Sequence, residues 1–452
     1  MTSKAAIRRP GALVFAAVAL ALLVAGAPAR ADDDGDDGGG GGGGAGAGAG
    51  GGGGGGPGSG GDGAGWSRGD RGGLGPNPGR IPMPPAWQRT LDRMFGASPP
   101  PPPAARPVRP RAEIVAVGVP PAALARLRAE GFVVVAERAP VGLVRLRGPA
   151  GQGEAQALAR LRALAPAAAA DRNHSYRLAS EAPPAGSAPA AAAPGCETRA
   201  GLIALIDTGV DERHPALAGR IERQEVLRGP GRRPARTPHG TAVAARLALA
   251  APAARIAVLD AFHLGPNGEA ADAYDLAAAL ERAAAIGAVI VNVSVVGPAN
   301  AVVDRMGAGA AATGLTVVAA AGNDGPRAPP LHPAAYPWAV AVAAVDVREH
   351  PWARSAAGPH IAFAAHGVEV NLPAPGGAAA RRWSGTSFAA PVVAAALAGL
   401  PRFGGAGIEG LALTARDAGA PGRDPVFGWG VVDADPCADV PARAGAAPAA
   451  SD

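Results

Sequence analysis

The chain has 452 residues, 48% of them hydrophobic and only 4% aromatic, with 68 glycines, 47 prolines and a formal charge of +5. That length allows two or three domains, with a core built on Ala, Val and Leu. The positive balance is local, since residues 101–195 hold 12 arginines against 6 acidic residues while residues 196–452 hold 21 against 23; with no aromatic-interleaved basic patch, nucleic acid is excluded as a partner.

In chain order, residues 1–31 read as a secretory signal. Lys4, Arg8 and Arg9 form a basic start, Leu13 to Ala25 is apolar, and Ala29-Arg30-Ala31 is a small-x-small cleavage site before Asp32. The apolar run is short for a bilayer. The expectation is a secreted or periplasmic protein with no membrane span after signal removal. Residues 32–111 are Gly/Pro-rich and too poor in apolar surface to offset ordering entropy, so they read as disordered. Within them "AWQRTLDRMFG", from Ala86, predicts one short helix, and "PPPPPAARPVRP" a stiff spacer. The many Gly-x-Gly-x-x-Gly matches follow no strand and carry no nucleotide-loop reading.

Residues 112–179 read as a small α+β unit. "EIVAVGV", "VVVAERA" and "GLVRLRG" predict strands, "PPAALARLRAEGF" and "GEAQALARLRALA" helices, and "ADRNHSYRLA" a last extended piece. The order β-α-β-β-α-β is that of a ferredoxin-like unit. Residues 180–195, "SEAPPAGSAPAAAAPG", form a linker open to proteolysis.

From residue 196 to 440 the pattern changes. "AGLIALID", "RIAVLDAF", "AVIVNVSVV", "LTVVAAAGN" and "AVAVAAVD" are apolar strands, with helix-like runs such as "ADAYDLAAALERAAAIG" between them and "DPVFGWGVVDA" as a closing strand. This alternation predicts a parallel sheet covered on both faces. Residues 441–452 read as a disordered tail. Cys196 and Cys437, the only two cysteines, read as a disulfide tying the ends of this region in an oxidising compartment; two separate buried thiols are the other reading.

Parallel sheets place sites at strand ends. Asp207 ends the first strand in "IALIDTGVD", His239 starts a helix in "PHGTAVAARLALA", and Ser387 starts another in "SGTSFAAP". A serine hydroxyl becomes a useful nucleophile when an imidazole takes its proton and a carboxylate orients that imidazole. Ser387 at a helix start also aims its backbone N–H at a developing oxyanion. Asn323 follows a strand in "VVAAAGNDGP", where its amide offers a second donor. Taken singly, Asp207 reads as a turn cap, His239 as a cap or surface residue, Ser387 as a helix cap and Asn323 as a turn residue. The joint occurrence favours catalysis.

The stretches "LIDTGVD", "HGTAVA", "NVSVVGP", "AAAGNDGP" and "GTSFAAP", over about residues 200–435, resemble the subtilisin-like serine protease family. The resemblance implies a doubly wound α/β fold and peptide-bond hydrolysis on protein or peptide substrates. It implies Asp207, His239 and Ser387 as triad, Asn323 as oxyanion donor, and Ser294, Val295, Val296 and Gly297 along the substrate strand. It makes residues 112–179 a prosegment that helps folding and inhibits intramolecularly, as part of a self-processing zymogen; a permanent accessory domain is the other reading. "ADRNHSYRL" would lead into the groove, with cleavage within about 176–196. No cofactor is expected; no calcium-ligand cluster stands out in the sequence.

Several positions depart from the family pattern. Ala242 replaces a frequent His, Ala245 and Val296 stand where Gly is common, and His366 replaces a usual Pro. Val296 narrows the groove wall. His214, His263, His332, His350, His360 and His366 show no metal spacing and read as structural or exposed. Position 389 is Ala, so the Gly-x-Ser-x-Gly signature of α/β-hydrolases is absent. Two other readings stay open: a non-catalytic binding platform in which the Gly-rich segment is the working part, and an esterase or peptide ligase using the same triad.

Overall fold

The computed structural model describes residues 85–95, 113–179, 201–372, 380–400 and 406–433. All of them fall in one compact unit, residues 72–452; the other unit, residues 1–71, lies outside the described residues. The expectations for the signal, most of the Gly/Pro-rich segment, the linker, the tail and the Cys196–Cys437 pair also lie outside them. Among the described residues no helix is long and apolar enough to cross a membrane.

Helix α1 (Pro85–Phe95) buries Leu91 in the main core. The ferredoxin-like order then follows: β1 (Glu113–Val117), α2 (Pro121–Ala129), β2 (Val133–Arg138), β3 (Leu143–Arg147), α3 (Glu154–Leu164) and β4 (Ala169–Arg172). The strands form an antiparallel sheet in the order β2-β3-β1-β4. Side chains of a strand alternate between faces, and β1 uses both. Ile114 and Ala116 join Leu127, Phe132 and Leu161 in a small core under α2 and α3. Val115 and Val117 join the core of the larger domain instead. The small sheet is thus a two-sided element, its second face covered by the neighbouring domain. The sequence read the last extended piece as one unit; it is two strands, β4 and β5 (Ser175–Leu178), in different sheets.

The larger domain starts with β6 (Leu202–Asp207), buried at every position. It continues through β7 (Ile221–Val226), α4 (Pro238–Ala250), β8 (Arg255–Asp260), the hairpin β9 (His263–Gly265) and β10 (Gly268–Asp272), and α5 (Ala273–Ala285). Next come β11 (Ile290–Val293), β12 (Val295–Val296), α6 (Ala301–Ala312), β13 (Thr316–Ala320), β14 (Ala339–Val345) and β15 (Ile361–His366). The hairpin β16 (Val370–Leu372) and β17 (Arg381–Trp383), then α7 (Thr386–Gly399), α8 (Ala406–Thr414) and β18 (Val431–Val432), complete it.

Eight strands form one sheet, β18-β15-β14-β13-β11-β6-β8-β7, with every pairing parallel. Along β6 the residues divide strictly between faces. Leu202, Ala204 and Ile206 pack with α5 and α6, while Ile203 and Leu205 pack with α4 and α7. Helices on both faces explain why these strands are continuous apolar runs. The chain leaves β6 toward β8 on one side and later returns to β11 on the other, so the strand order reverses beside β6. A crevice at the carboxyl end of such a point is where α/β sheets hold their sites.

Candidate active site

Asp207 closes β6 and is wholly buried. Its Oδ1 accepts the Thr208 N–H at 2.7 Å and faces His239 Nδ1 at 2.8 Å. A carboxylate on Nδ1 obliges that nitrogen to carry the proton, leaving Nε2 as the basic one. Nε2 is buried without a partner. His239 lies in the first turn of α4, and Gly240 lets that turn settle on the loop after β6. The Gly240 N–H donates to Thr208 Oγ1 at 3.0 Å, and a Cβ on Gly240 would run into the Thr208 carbonyl. The imidazole packs edge-on to Trp383, 6.5 Å between centroids, and against Phe388 at 5.8 Å.

Ser387, the second residue of α7, is fully buried. Its Oγ donates to the Ala179 carbonyl at 2.6 Å, and its N–H points at the same oxygen at 3.3 Å. In this structure the hydroxyl is therefore given to Ala179 rather than to His239. Asn323 follows β13. Thr386 Oγ1 accepts the Gly322 N–H at 3.1 Å, so its own proton serves Asn323 Oδ1 at 2.9 Å; the Thr386 N–H reaches the same oxygen at 3.1 Å. With Oδ1 engaged twice, the amide NH2 is the free end, and Nδ2 is buried without a partner.

Ser294 to Gly297 form one wall of a groove that holds β5. The Ser294 carbonyl accepts the Ala179 N–H at 3.1 Å, Val295 lies opposite Leu178, and Val296 opposite Arg177. On its other edge β5 pairs with β10, Ala271 opposite Tyr176. Both pairings are antiparallel, so β5 is a middle strand of the sheet β12-β5-β10-β9. The Tyr176 ring lies on Gly297, where a Cβ would overlap it, and its hydroxyl donates to the Pro298 carbonyl at 3.0 Å. Arg177 donates to both Asp324 carboxylate oxygens, at 2.7 and 2.6 Å.

The stretch "ADRNHSYRL", which carries Tyr176, was expected to lead into the groove; sequence reasoning did not single out Ala179 or Thr386. Thr386 sits inside "GTSFAAP" and was open to recognition; Ala179 depends on a strand pairing between distant segments. It also missed a buried cluster of His263, Asp272 and Asp275, whose ligand-type atoms lie within 4.8 Å of one another. Arg145 from β3 stands 3.7 Å from Asp272, and Arg232 pairs with Asp272 and lies 3.0 Å from His263 Nε2. Two guanidinium groups thus meet the negative charge. Burial, with Asp272 adding, pushes the Asp275 carboxyl up to about 7. Burial and the neighbouring arginines pull His263 down to about 4.

Of the departures from the family pattern, Ala245 and Val296 are fully buried and Ala242 nearly so. Beside Ala245, the Arg246 guanidinium donates to the carbonyls of Phe388 at 3.4 Å and His366 at 3.2 Å; burial pulls its pKa down to about 10.

A sequence profile described as the Subtilase family matches residues 198–430. Subtilisin E of Bacillus subtilis (strain 168) is 30% identical over 213 residues, 43% of this chain and 54% of that relative. The match thus spans about half of subtilisin E. Subtilisin of Bacillus pumilus is 30% identical over 213 residues, 43% of this chain and 74% of the relative. Among solved structures, fervidolysin from Fervidobacterium pennivorans, a keratinolytic enzyme related to subtilisin, aligns with a TM-score of 0.59 at 21% identity, over 72% of this chain and 60% of that one. At that identity the likeness is one of fold, and it agrees with the doubly wound sheet. With the profile covering more than half its length, the chain belongs to the subtilase family.

Proposed function

We propose that this chain is an exported serine endopeptidase made as a self-processing zymogen. His239, held by Asp207, takes the Ser387 proton as Oγ attacks a peptide carbonyl. The Ser387 N–H and the Asn323 amide NH2 hold the oxyanion. His239 then protonates the leaving amine, and water hydrolyses the acyl-enzyme by the same route. The substrate is a protein or peptide strand inserted between β12 and β10.

One observation carries this reading. The end of β5 lies as a substrate would, paired on both edges, with the Ala179 carbonyl oxygen on the Ser387 hydroxyl and N–H. Residues 112–179 then act as an intramolecular inhibitor whose own last residue fills the site, and the bond cleaved is Ala179–Ser180. The test pairs the full chain with Ser387→Ala, treating both with a fluorophosphonate and recording intact masses. The expected result is labelling of Ser387 in the wild type only, with a mass break after Ala179. A folded wild type that neither labels nor processes would refute the reading and favour the binding platform.

A further inference from the structure

The side chain of Ala179 marks where a substrate places the residue preceding the cleaved bond. That position has little room. Ala179 is fully buried, in one apolar cluster with Val296, Val318 and Ala320, and Leu331 packs against the same cluster. Val296 has no exposed surface. Gly322, next to Asn323, shows where the two large side chains meet: a Cβ placed there would lie 3.0 Å from Leu331 Cδ1 and 3.6 Å from Val296 Cγ1. The segments carrying them are pinned together, because Gly297 and His332 exchange backbone hydrogen bonds of 2.9 and 3.0 Å. Two branched side chains therefore meet beside Gly322 in the cluster that buries Ala179, Val296 coming from the strand segment that pairs with residues 177–179.

We infer that Val296 and Leu331 close the primary specificity pocket and restrict this enzyme to cleavage after alanine or glycine. The inference rests on the protease reading and names its substrate class. A larger side chain must displace packed side chains, and close-packed interiors resist such insertion. The linker that follows Ala179 is itself rich in alanine, "SEAPPAGSAPAAAAPG", and offers further bonds of the accepted kind.

The test uses enzyme formed by processing of the full chain, with active sites counted by fluorophosphonate titration. Substrates are fluorogenic amides of Tyr-Arg-Leu-X, following residues 176–178, with X as Gly, Ala, Leu or Phe. The expected kcat/KM for Ala exceeds that for Phe by about 100-fold or more, within the range that pocket fit supplies. The double variant Val296→Gly/Leu331→Gly should bring Phe to within about 10-fold of Ala. In the full chain, Ala179→Phe should block processing, and the double variant should restore it. Labelled wild-type enzyme that cleaves after Leu or Phe within about 3-fold of Ala overturns the inference and leaves the protease standing. Wild type that neither labels nor cleaves any of the four overturns both. Should the double variant not fold, the wild-type profile alone decides.

Discussion

At the scale of single residues the site depends on how Asn323 is held. Thr386 spends both its donors on Asn323 Oδ1 and receives the Gly322 N–H in return, so the amide cannot turn without breaking two hydrogen bonds. On the proposed mechanism, replacing Asn323 by Ala should lower kcat by about 10²–10³-fold with little change in KM, the loss expected from one oxyanion donor. Thr386→Val keeps the shape and removes the hydroxyl. It should lower kcat by a smaller factor, and in the same kinetic manner, because one of the two bonds to Oδ1 survives; steady-state kinetics on a single peptide amide measure both. The placement of Asp207, His239, Asn323 and Ser387 at strand ends and helix starts was legible in the sequence, since apolar runs stop abruptly beside each. Ala179 was not legible. An alanine in an alanine-rich stretch carries no local signal, and only the pairing of β5 with β12 and β10 brings it to Ser387.

At the scale of elements, the small domain satisfies backbone groups that the larger one leaves open. Helix ends carry unpaired N–H groups. On α6, Asn300 accepts from Val302 and Val303 N–H, and Asp171 from β4 accepts from Ala301 N–H at 3.0 Å. On α5, Ala273 N–H is bonded by the His174 carbonyl and Tyr274 N–H by Asn173 Oδ1, at 2.8 and 3.0 Å. A side-chain cap is worth about 0.5–2 kcal/mol. On the proposed zymogen reading, Asp171→Ala or Asn173→Ala should therefore release residues 112–179 roughly 2- to 30-fold more readily, read as earlier recovery of peptidase activity after processing. Arg145→Met should act in the same direction. Its effect should stay below the about 3–5 kcal/mol of a stripped buried charge, because Arg232 still pairs with Asp272. The apolar strands of the main sheet were readable because both their faces are covered. "AVIVNVSVV" was read as one strand yet splits at Ser294 into β11 and β12. The polar, half-exposed β7 and the short hairpins escaped notice because their apolar periodicity is weak. "DPVFGWGVVDA" is strand only at Val431–Val432; the turn before it is held by Asp424, which accepts from the Val426 and Phe427 N–H groups.

At the scale of the whole molecule, buried histidines tie stability to pH. Burial pulls His263, His332 and His360 each down to about 4, with arginine neighbours adding for His263, and His332 and Arg423 for His360. Both ring nitrogens of His360 and Nδ1 of His263 are buried without partners, so the neutral ring is the form the fold accepts. In the unfolded chain a histidine titrates near 6.5. A depressed histidine pKa gives stability that is fully present above about 6.5 and lost as pH falls toward the folded value. Asp275 works the other way: its carboxyl, raised to about 7, is protonated in the folded chain where the unfolded one is ionised. Between about pH 6.5 and 5 the three histidines outweigh this one carboxyl, and on unfolding these four groups take up a net that rises from under about one proton to between about one and two. Each proton is worth about 1.4 kcal/mol per pH unit, so the Ser387→Ala chain, which on the proposed reading cannot cleave itself, should lose stability on mild acidification. Denaturant unfolding at half-unit steps of pH measures the slope. His360→Leu should reduce it by about one proton, and Asp275→Asn should increase it by about one. A flat profile across that window in the unsubstituted precursor would mean that these rings are hydrated and protonated within the fold, contrary to the packing around them.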